Sequence, residues 1–251
     1  MPEKTVIEDI TDNQFIYIPM GPSGKGNSEI AAVITQKKVG DAGYYPEKET
    51  EARRYTREQL DIPHGSLFGV IQKHGKKVHA VGYEKKWSPF TEGDGLCTSD
   101  KNVYLSVTVA DCLPIFLYDS KKRAFSVLHS GWKGTGIIEA GIKTMQDVYG
   151  INASDLHVCM GPGIGPCCYV VDKNRARYFQ DNFGDNAAEW NENGWRLNLI
   201  QANKNILKKY NVAEIKTVDT CTACSKLLGS FRREGNNFTR MAAIIGAFNI
   251  Q

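Results

Sequence analysis

The chain has 251 residues, of which 41% are hydrophobic, and this is enough to bury a substantial core. Its formal net charge is only +3, and acidic and basic residues alternate in runs such as "EKETEARRYTREQL", which excludes the basic surface typical of nucleic-acid binding. The longest apolar run, "MAAIIGAF", is too short to cross a bilayer. We therefore expect neither a nucleic-acid partner nor a membrane partner.

The predicted elements of the first half are mostly strands. The sequence predicts a strand at 30–35, a charged helix over 46–61, and a strand, turn and strand over 66–82 with the turn at Gly75. Apolar residues then alternate strictly over 103–109, which is the period of a half-buried strand.

The second half adds two clearer helices. The first, over 135–150, has apolar residues at helical spacing, with Thr135 expected to cap its start and Gly150 its end. The second is predicted over 196–212. Further strands are predicted at 115–119, 124–130, 155–160 (running into a glycine-rich turn) and 239–248. Runs of strands between few helices favour an α+β fold with mixed sheets.

The N-terminus and the cysteines suggest a compartment. The opening "MPEKTVIEDITDNQ" is polar and acidic, without the apolar stretch of a signal peptide. Seven cysteines, an odd number without a secretory signal, are typical of reduced thiols. We expect a cytoplasmic protein.

One cysteine and two histidines lie at the ends of predicted strands. Cys112 follows Asp111 where a strand must end or bend, His129 precedes the loop "SGWKGTG", and His74 lies beside a glycine. Each has a plainer interpretation as a buried core residue. Together, however, two histidines and one cysteine can bind zinc and leave a fourth position open, as catalytic zinc sites do.

Four motifs carry a family resemblance. The segments "VADCLPIFLYD", "LHSGWKGT", "GPGIGPCCYVVD" and "SFRREGNNFTRMAAI" resemble the laccase-domain, or multicopper-polyphenol-oxidase-like, family, which includes peptidoglycan editing factor proteins. The resemblance runs from about residue 70 to the C-terminus. It implies one α+β domain over residues 1–251, with mixed β-sheets flanked by helices. It also implies His74, Cys112 and His129 as zinc ligands and catalytic residues.

The resemblance further implies a purine nucleoside enzyme. The expected reactions are phosphorolysis of adenosine, inosine or methylthioadenosine, and deamination of adenosine, so a purine nucleoside and phosphate are the expected partners. Zinc can lower the pKa of water to roughly 7, and phosphorolysis needs cationic side chains around the phosphate. The candidates are Arg53, Arg232 and Arg233, with Arg240 also considered.

Copper oxidase chemistry is not expected, despite the family's name. Multicopper oxidases need many histidines, usually as His-x-His pairs, whereas this chain has five histidines and none lie two residues apart. Zinc is therefore favoured over copper. Cytidine-type zinc deaminases are excluded as well, because they require a His-x-Glu motif that does not occur in the sequence.

Two other functions remain open. Cys112 and His129 could be the nucleophile and base of a cysteine hydrolase or editing factor that acts on a peptidoglycan precursor. Alternatively, zinc could merely order the fold of a binding module. The lone Cys-x-x-Cys of Cys221 and Cys224 could be half a structural zinc site or a redox pair, and we assign it a structural or site-lining role. Asp94 is near the motifs but receives no role.

Overall fold

The computed structural model describes residues 3–7, 10–22, 29–82 and 86–248. Within these ranges the helices are α1 (Glu51–Gln59), α2 (Ile137–Tyr149), α3 (Lys173–Phe183), α4 (Leu199–Leu207) and α5 (Phe231–Glu234). The strands are β1 (Glu3–Ile7), β2 (Phe15–Pro19), β3 (Ile30–Thr35), β4 (Leu67–Phe68), β5 (Val78–Ala80), β6 (Gly95–Thr98), β7 (Tyr104–Val109), β8 (Leu113–Asp119), β9 (Ala124–Ser130), β10 (Leu156–Met160), β11 (Val170–Val171), β12 (Ala188–Asn191), β13 (Gly194–Leu197), β14 (Glu214–Val218) and β15 (Met241–Ala247).

Two large mixed sheets form the body of the fold. One has the strand order β1-β14-β10-β8-β9-β6-β5, with parallel pairs at both ends and antiparallel pairs in the middle. The other has the order β2-β3-β15-β7-β4, in which only the β7–β4 pair is parallel. A small antiparallel sheet, β11-β13-β12, stands apart. The predicted α+β fold with mixed sheets flanked by helices is confirmed.

The large sheets pack face to face, and helices cover their outer sides. Successive side chains of a strand point to opposite faces, so Ile115 and Leu117 of β8 pack with the helices α2, α3 and α4, while Phe116 packs against the five-stranded sheet. On the far side of that second sheet, Ala52 of α1 packs against Val33 of β3. Because β8 is covered on both faces, all seven of its residues are buried.

The two clearest helices form, but their beginnings differ from the prediction. Helix α2 ends at Gly150, which adopts the left-handed conformation (φ 63°) as expected. Thr135 does not cap its start, because the Thr135 hydroxyl donates to the Gly131 carbonyl instead. Helix α4 is shorter than predicted and is capped by Asn198.

Other elements depart from the sequence pattern. Helix α1 is shorter than the predicted 46–61, because the Thr50 side chain accepts a hydrogen bond from the Arg53 N–H and starts the helix there. The strand, turn and strand at 66–82 is not a hairpin: β4 and β5 lie in different sheets. Among the described residues, no helix is both long and apolar enough to span a membrane.

Candidate active site

Cys112 and His129 meet because β8 and β9 are antiparallel neighbours. Cys112 immediately precedes β8, and Pro114 of β8 pairs with His129 of β9. Asp111 has a positive φ of 84°, unusual for a residue with a side chain, and so turns the chain sharply before the thiol. The sequence prediction that two adjacent strand ends bring these two side chains together is confirmed.

His74 comes from a separate loop whose shape is fixed by Asp94. His74 also has a positive φ, 58°. The Asp94 carboxylate accepts hydrogen bonds from the backbone N–H groups of Lys73 (3.2 Å), His74 (2.8 Å) and Gly75 (2.8 Å). These three bonds hold the loop in a turn around a carboxylate that is only 1% exposed.

The three side chains are close enough to share one ligand. The Cys112 sulfur and a ring nitrogen of each histidine all lie within 4.8 Å of one another. The His74 and His129 rings meet edge to face, with centroids 4.9 Å apart. A Cβ at Gly131 would lie only 2.8 Å from the Cys112 sulfur, so a glycine is required beside the group.

Asp94 also orients His129. The Asp94 Oδ1 atom lies 2.9 Å from His129 Nδ1, and both side chains are almost fully buried. This contact leaves the other ring nitrogen of His129 for the Cys112 side, where the two side chains lie close together. A carboxylate on the far nitrogen of a metal-binding histidine fixes its tautomer and its orientation.

The charges of the group are strongly coupled. Burial by itself would raise the pKa of the Cys112 thiol, but the two histidines outweigh it and lower that pKa to about 6. Burial would likewise lower the pKa of His129, yet the Cys112 thiolate and the Asp94 carboxylate raise it to about 9. Burial opposes ionisation of Asp94, and hydrogen bonds from His129 and Gly75 nevertheless keep its pKa below the usual value.

The donor set fits a metal ion. Two imidazoles and one thiolate are the ligands that zinc prefers, and three protein ligands leave one coordination position open. Asp94 supplies the outer hydrogen bond that such sites require. His74, Cys112 and His129 could therefore hold a metal.

A cavity of about 670 Å³ opens above this group. All three side chains line it, and its walls combine aromatic and cationic residues, among them Tyr44, Tyr169, Phe231, Arg175, Arg232 and Arg240. Its volume is typical of a small-molecule site. Thr108 also borders the cavity, and its hydroxyl is buried without a hydrogen-bond partner among the described residues.

The three arginines chosen from the sequence have different surroundings. Arg232 lines the cavity, and its guanidinium donates to the carbonyls of Cys168 and Val170. Arg53 is buried, hydrogen-bonded to the Ser106 hydroxyl at 2.9 Å, and stacked 5.2 Å from the Tyr44 ring centroid.

Arg233 is surrounded by protein acceptors. Its guanidinium donates to the backbone carbonyls of Thr222, Ala223, Ser225 and Leu228. Neither Arg53 nor Arg233 is among the described residues that line the cavity. The guanidinium groups of both arginines donate hydrogen bonds to protein atoms, so Arg53 and Arg233 have a structural role next to the cavity.

Sequence reasoning missed two residues of the site. Asp94 was noticed as a nearby carboxylate, but it lies in a loop, where no periodicity reveals a contact with His129. Arg175 lies in α3, within "KNRARYF", and only the fold brings it to the cavity, 4.2 Å over the Trp132 ring. One feature of the sequence could have indicated the contact between Asp94 and His129. Asp94 lies directly before the strand β6, which pairs with β9, the strand of His129.

Comparisons with known proteins give one matching family and several named relatives. The sequence matches the family described as "Multi-copper polyphenol oxidoreductase laccase" over residues 27–247. A purine nucleoside phosphorylase from Clostridium acetobutylicum is 35% identical over 158 residues, which cover 61% of this chain and 66%, just under two thirds, of the relative. Purine nucleoside phosphorylase YlmD from Bacillus subtilis is 31% identical, with 77% and 75% covered. The crystal structure of YlmD from Geobacillus stearothermophilus has a TM-score of 0.79 and 26% identity, with 91% of this chain and 98% of that chain covered.

Proposed function

The chain belongs to the multi-copper polyphenol oxidoreductase laccase family, and we propose that it is a zinc-dependent purine nucleoside phosphorylase that also deaminates adenosine. The observation that carries this proposal is the cavity itself, in which a metal-binding group lies beside aromatic rings and arginines. The relatives named purine nucleoside phosphorylase support the same reaction class.

His74, Cys112 and His129 would hold the zinc. When bound, zinc supplies a Lewis acid at the floor of the cavity. A copper cluster has less support, because two of the remaining histidines have other partners: His79 lies 2.9 Å from the Glu92 carbonyl, and His157 lies 3.1 Å from the Glu214 carboxylate.

Arg232 and Arg175 would bind the phosphate. Arg232 lines the cavity, and its guanidinium donates to two neutral carbonyls, whereas that of Arg233 also pairs with the Glu234 carboxylate, so the positive charge of Arg232 is not neutralised by these contacts. Arg175 stacks on Trp132, and its carboxylate neighbour, Asp172, is 3.8 Å away. Arg240 is less suitable, because the Asp41 carboxylate pairs with it at both oxygens.

The aromatic walls would bind the purine. Tyr44 and Tyr169 line the cavity with rings on which a purine can stack. In phosphorolysis a phosphate oxygen bonds to C1′ of the ribose while the bond from C1′ to the purine breaks, which yields the free base and ribose 1-phosphate. Arginines that position the phosphate and balance its negative charge lower the barrier of such a step.

Deamination of adenosine would use the same cavity. Water adds at C6 of the purine and ammonia leaves, so that adenosine becomes inosine. The proposed substrates are therefore adenosine, inosine and methylthioadenosine for phosphorolysis, and adenosine for deamination.

The test is to incubate the purified full chain with adenosine, with and without phosphate, and to separate the products by chromatography. We expect adenine only when phosphate is present, and inosine in either case. Cys112→Ala should abolish both products and lower the bound zinc. Release of adenine without phosphate, or full activity of metal-free Cys112→Ala, would contradict the proposal.

Matched arginine variants on α3 test the phosphate contact. Arg175→Ala should raise the KM for phosphate by about tenfold, the effect of losing one charge-assisted hydrogen bond worth about 1.5 kcal/mol. Arg177 lies on the same helix, is exposed and is not among the described cavity residues, so Arg177→Ala should leave that KM unchanged. Equal effects of the two variants would remove Arg175 from the phosphate site.

A cysteine hydrolase is the second candidate. The observation in its favour is the lowered pKa of Cys112 beside His129 and Asp94, which together resemble a nucleophile, a base and an orienting carboxylate. This enzyme would attack a carbonyl of a peptidoglycan precursor. It predicts rapid labelling of Cys112 by iodoacetamide at neutral pH in protein purified without chelator, whereas bound zinc should protect the thiol until the metal is removed.

A further inference from the structure

A second group of sulfur atoms lies next to the cavity wall. The Sγ atoms of Cys167, Cys168, Cys221 and Cys224 all lie within 4.8 Å of one another. Cys224 Sγ is 3.6 Å from Cys167 Sγ and 3.4 Å from Cys168 Sγ. We propose that these four cysteines bind a structural zinc ion, separate from the group of His74, Cys112 and His129.

The sulfur spacing fits a tetrahedral metal rather than a covalent bond. A zinc–sulfur distance of about 2.3 Å places the sulfurs of a tetrahedral site about 3.8 Å apart. The distances from Cys224 Sγ, 3.6 and 3.4 Å, are slightly shorter than that value, and all four sulfurs lie within 4.8 Å of one another. A disulfide would bring two sulfurs to about 2.05 Å. All four side chains are free cysteines. Shifts of about 1 Å or less would complete the tetrahedron.

The backbone already holds the two cysteine loops together. Gly163 and Cys221 form a parallel β-bridge, and the Thr222 N–H donates to the Gly163 carbonyl at 3.0 Å. The Gly165 N–H donates to the Cys221 sulfur at 3.2 Å, the kind of outer contact that orients a thiolate ligand. A Cβ at Gly165 would lie 3.2 Å from the Cys221 Cβ and 3.3 Å from the Cys167 sulfur, so a side chain there would crowd the contact between the two loops.

The exposure of the group suits a metal that enters from solvent. Cys221 is buried and Cys168 is half-buried, while Cys167 and Cys224 are exposed. Zinc binds such a set by displacing the thiol protons, so its binding free energy adds to the stability of the fold. An all-thiolate tetrahedral set is also the chemistry of structural zinc, because it leaves no position open for substrate.

This zinc would brace the cavity. Cys168 is followed by Tyr169, which lines the cavity, and the Cys168 carbonyl accepts a hydrogen bond from Arg232. On the other loop, the Thr222 hydroxyl donates at 2.6 Å to Asp111, the residue before Cys112. One ion would therefore tie the aromatic wall to the strand end that carries the catalytic thiol.

Metal counting on the full chain, purified under reducing conditions and saturated with zinc, tests the proposal. We expect two zinc ions per chain in the wild type and one in the double variant Cys167→Ser/Cys224→Ser. Cys112→Ala should also retain one zinc ion, and replacing it with cobalt should give the thiolate-to-metal charge-transfer spectrum of a four-sulfur site. Cys159→Ala removes a buried thiol in the core between the large sheets and should keep both ions.

Several results would overturn the assignment. These are a wild type and a double variant that bind the same number of zinc ions, iron in place of zinc, or a disulfide between these cysteines in the reduced protein. If the double variant does not fold, Cys112→Ala decides alone: no bound metal would refute the second site. Because that variant lacks the catalytic thiol, its metal content is independent of the proposed enzyme activity.

Discussion

Replacing Asp94 with asparagine should weaken metal binding without removing any metal ligand. The Asp94 carboxylate accepts four hydrogen bonds, from three backbone N–H groups and from His129. An asparagine keeps one acceptor oxygen, so its NH₂ group would face the two donors that bond to the other oxygen. If Oδ1 is kept, the donors left unpaired are the N–H groups of Lys73 and Gly75.

The cost follows from that count. A fully buried donor left unpaired costs about 1–3 kcal/mol. Because the bonds from Lys73 and Gly75 are only partly buried, their loss together should destabilise the metal-free protein by at most about 6 kcal/mol. For a chain of this length, each kcal/mol lowers the melting temperature by about 2–4 °C. Because the same residue orients His129 and shapes the loop of His74, metal affinity should also fall, by about 10- to 100-fold.

The assay is zinc titration of the folded variant against a competing chelator, with melting curves recorded in chelator. Asp119→Ala is the matched control, since Asp119 is a buried carboxylate that accepts two backbone N–H bonds at the opposite end of β8. It should lower stability and leave zinc affinity unchanged. Wild-type zinc affinity in folded Asp94→Asn would refute the positioning role.

Two further substitutions test the packing and the charges. Gly131→Ala places a Cβ 2.8 Å from the Cys112 sulfur and should lower zinc affinity. The control, Gly150→Ala, has open space around its Cβ and should cost only about 1–2 kcal/mol of backbone strain. Zinc titration and melting curves distinguish the two variants, and equal zinc affinities would contradict the predicted clash with the Cys112 sulfur. Burial opposes ionisation of Glu234, but hydrogen bonds from Lys37, Thr239 and Arg233 lower its pKa to about 2. Glu234→Gln should therefore cost at most about 3 kcal/mol above pH 4.5, with the difference vanishing as the pH falls towards 2 in denaturant titrations; a pH-independent difference would refute this.

Local sequence patterns predicted those strands and helices that are determined mainly by the residues within them. The alternation over 103–109 corresponds to the strand β7, although β7 is buried at every position except Thr108 instead of on one face, and the helical spacing over 135–150 corresponds to α2. The start of α2 was not predictable in the same way, because the Thr135 hydroxyl bonds to the preceding loop and Gly136 takes a left-handed conformation (φ 97°). The Thr135 hydrogen bond and the Gly136 conformation depend on tertiary contacts of the loop before α2.

The pairing of short strands was beyond the sequence pattern. β4 and β5 have only two and three residues, and each adds to a different large sheet. The sequence between them resembles a hairpin. Asp94, about twenty residues further along the chain, accepts a hydrogen bond from the backbone of the turn, and the two strands do not pair with each other. The small sheet of β11, β12 and β13 was missed for the same reason, since its strands are brief.

The cysteines illustrate the limit of motif spacing. Cys221 and Cys224 were seen as a lone Cys-x-x-Cys because no second such pair exists in the sequence. Cys167 and Cys168 are adjacent and more than fifty residues away, a spacing that no common metal motif has. The β-bridge between Gly163 and Cys221, a contact of the folded chain, brings the two halves together.

His74 is the residue that separates the two candidate enzymes. A cysteine hydrolase needs Cys112, His129 and the orienting Asp94, and all three remain when His74 is changed. A zinc enzyme needs His74 as its third ligand. His74→Asn suits the test, because asparagine tolerates the positive φ at this position, and the backbone N–H that bonds to Asp94 is kept. If both zinc and nucleoside turnover are lost, the metal enzyme is supported, whereas nucleoside turnover that persists without zinc would refute the metal mechanism.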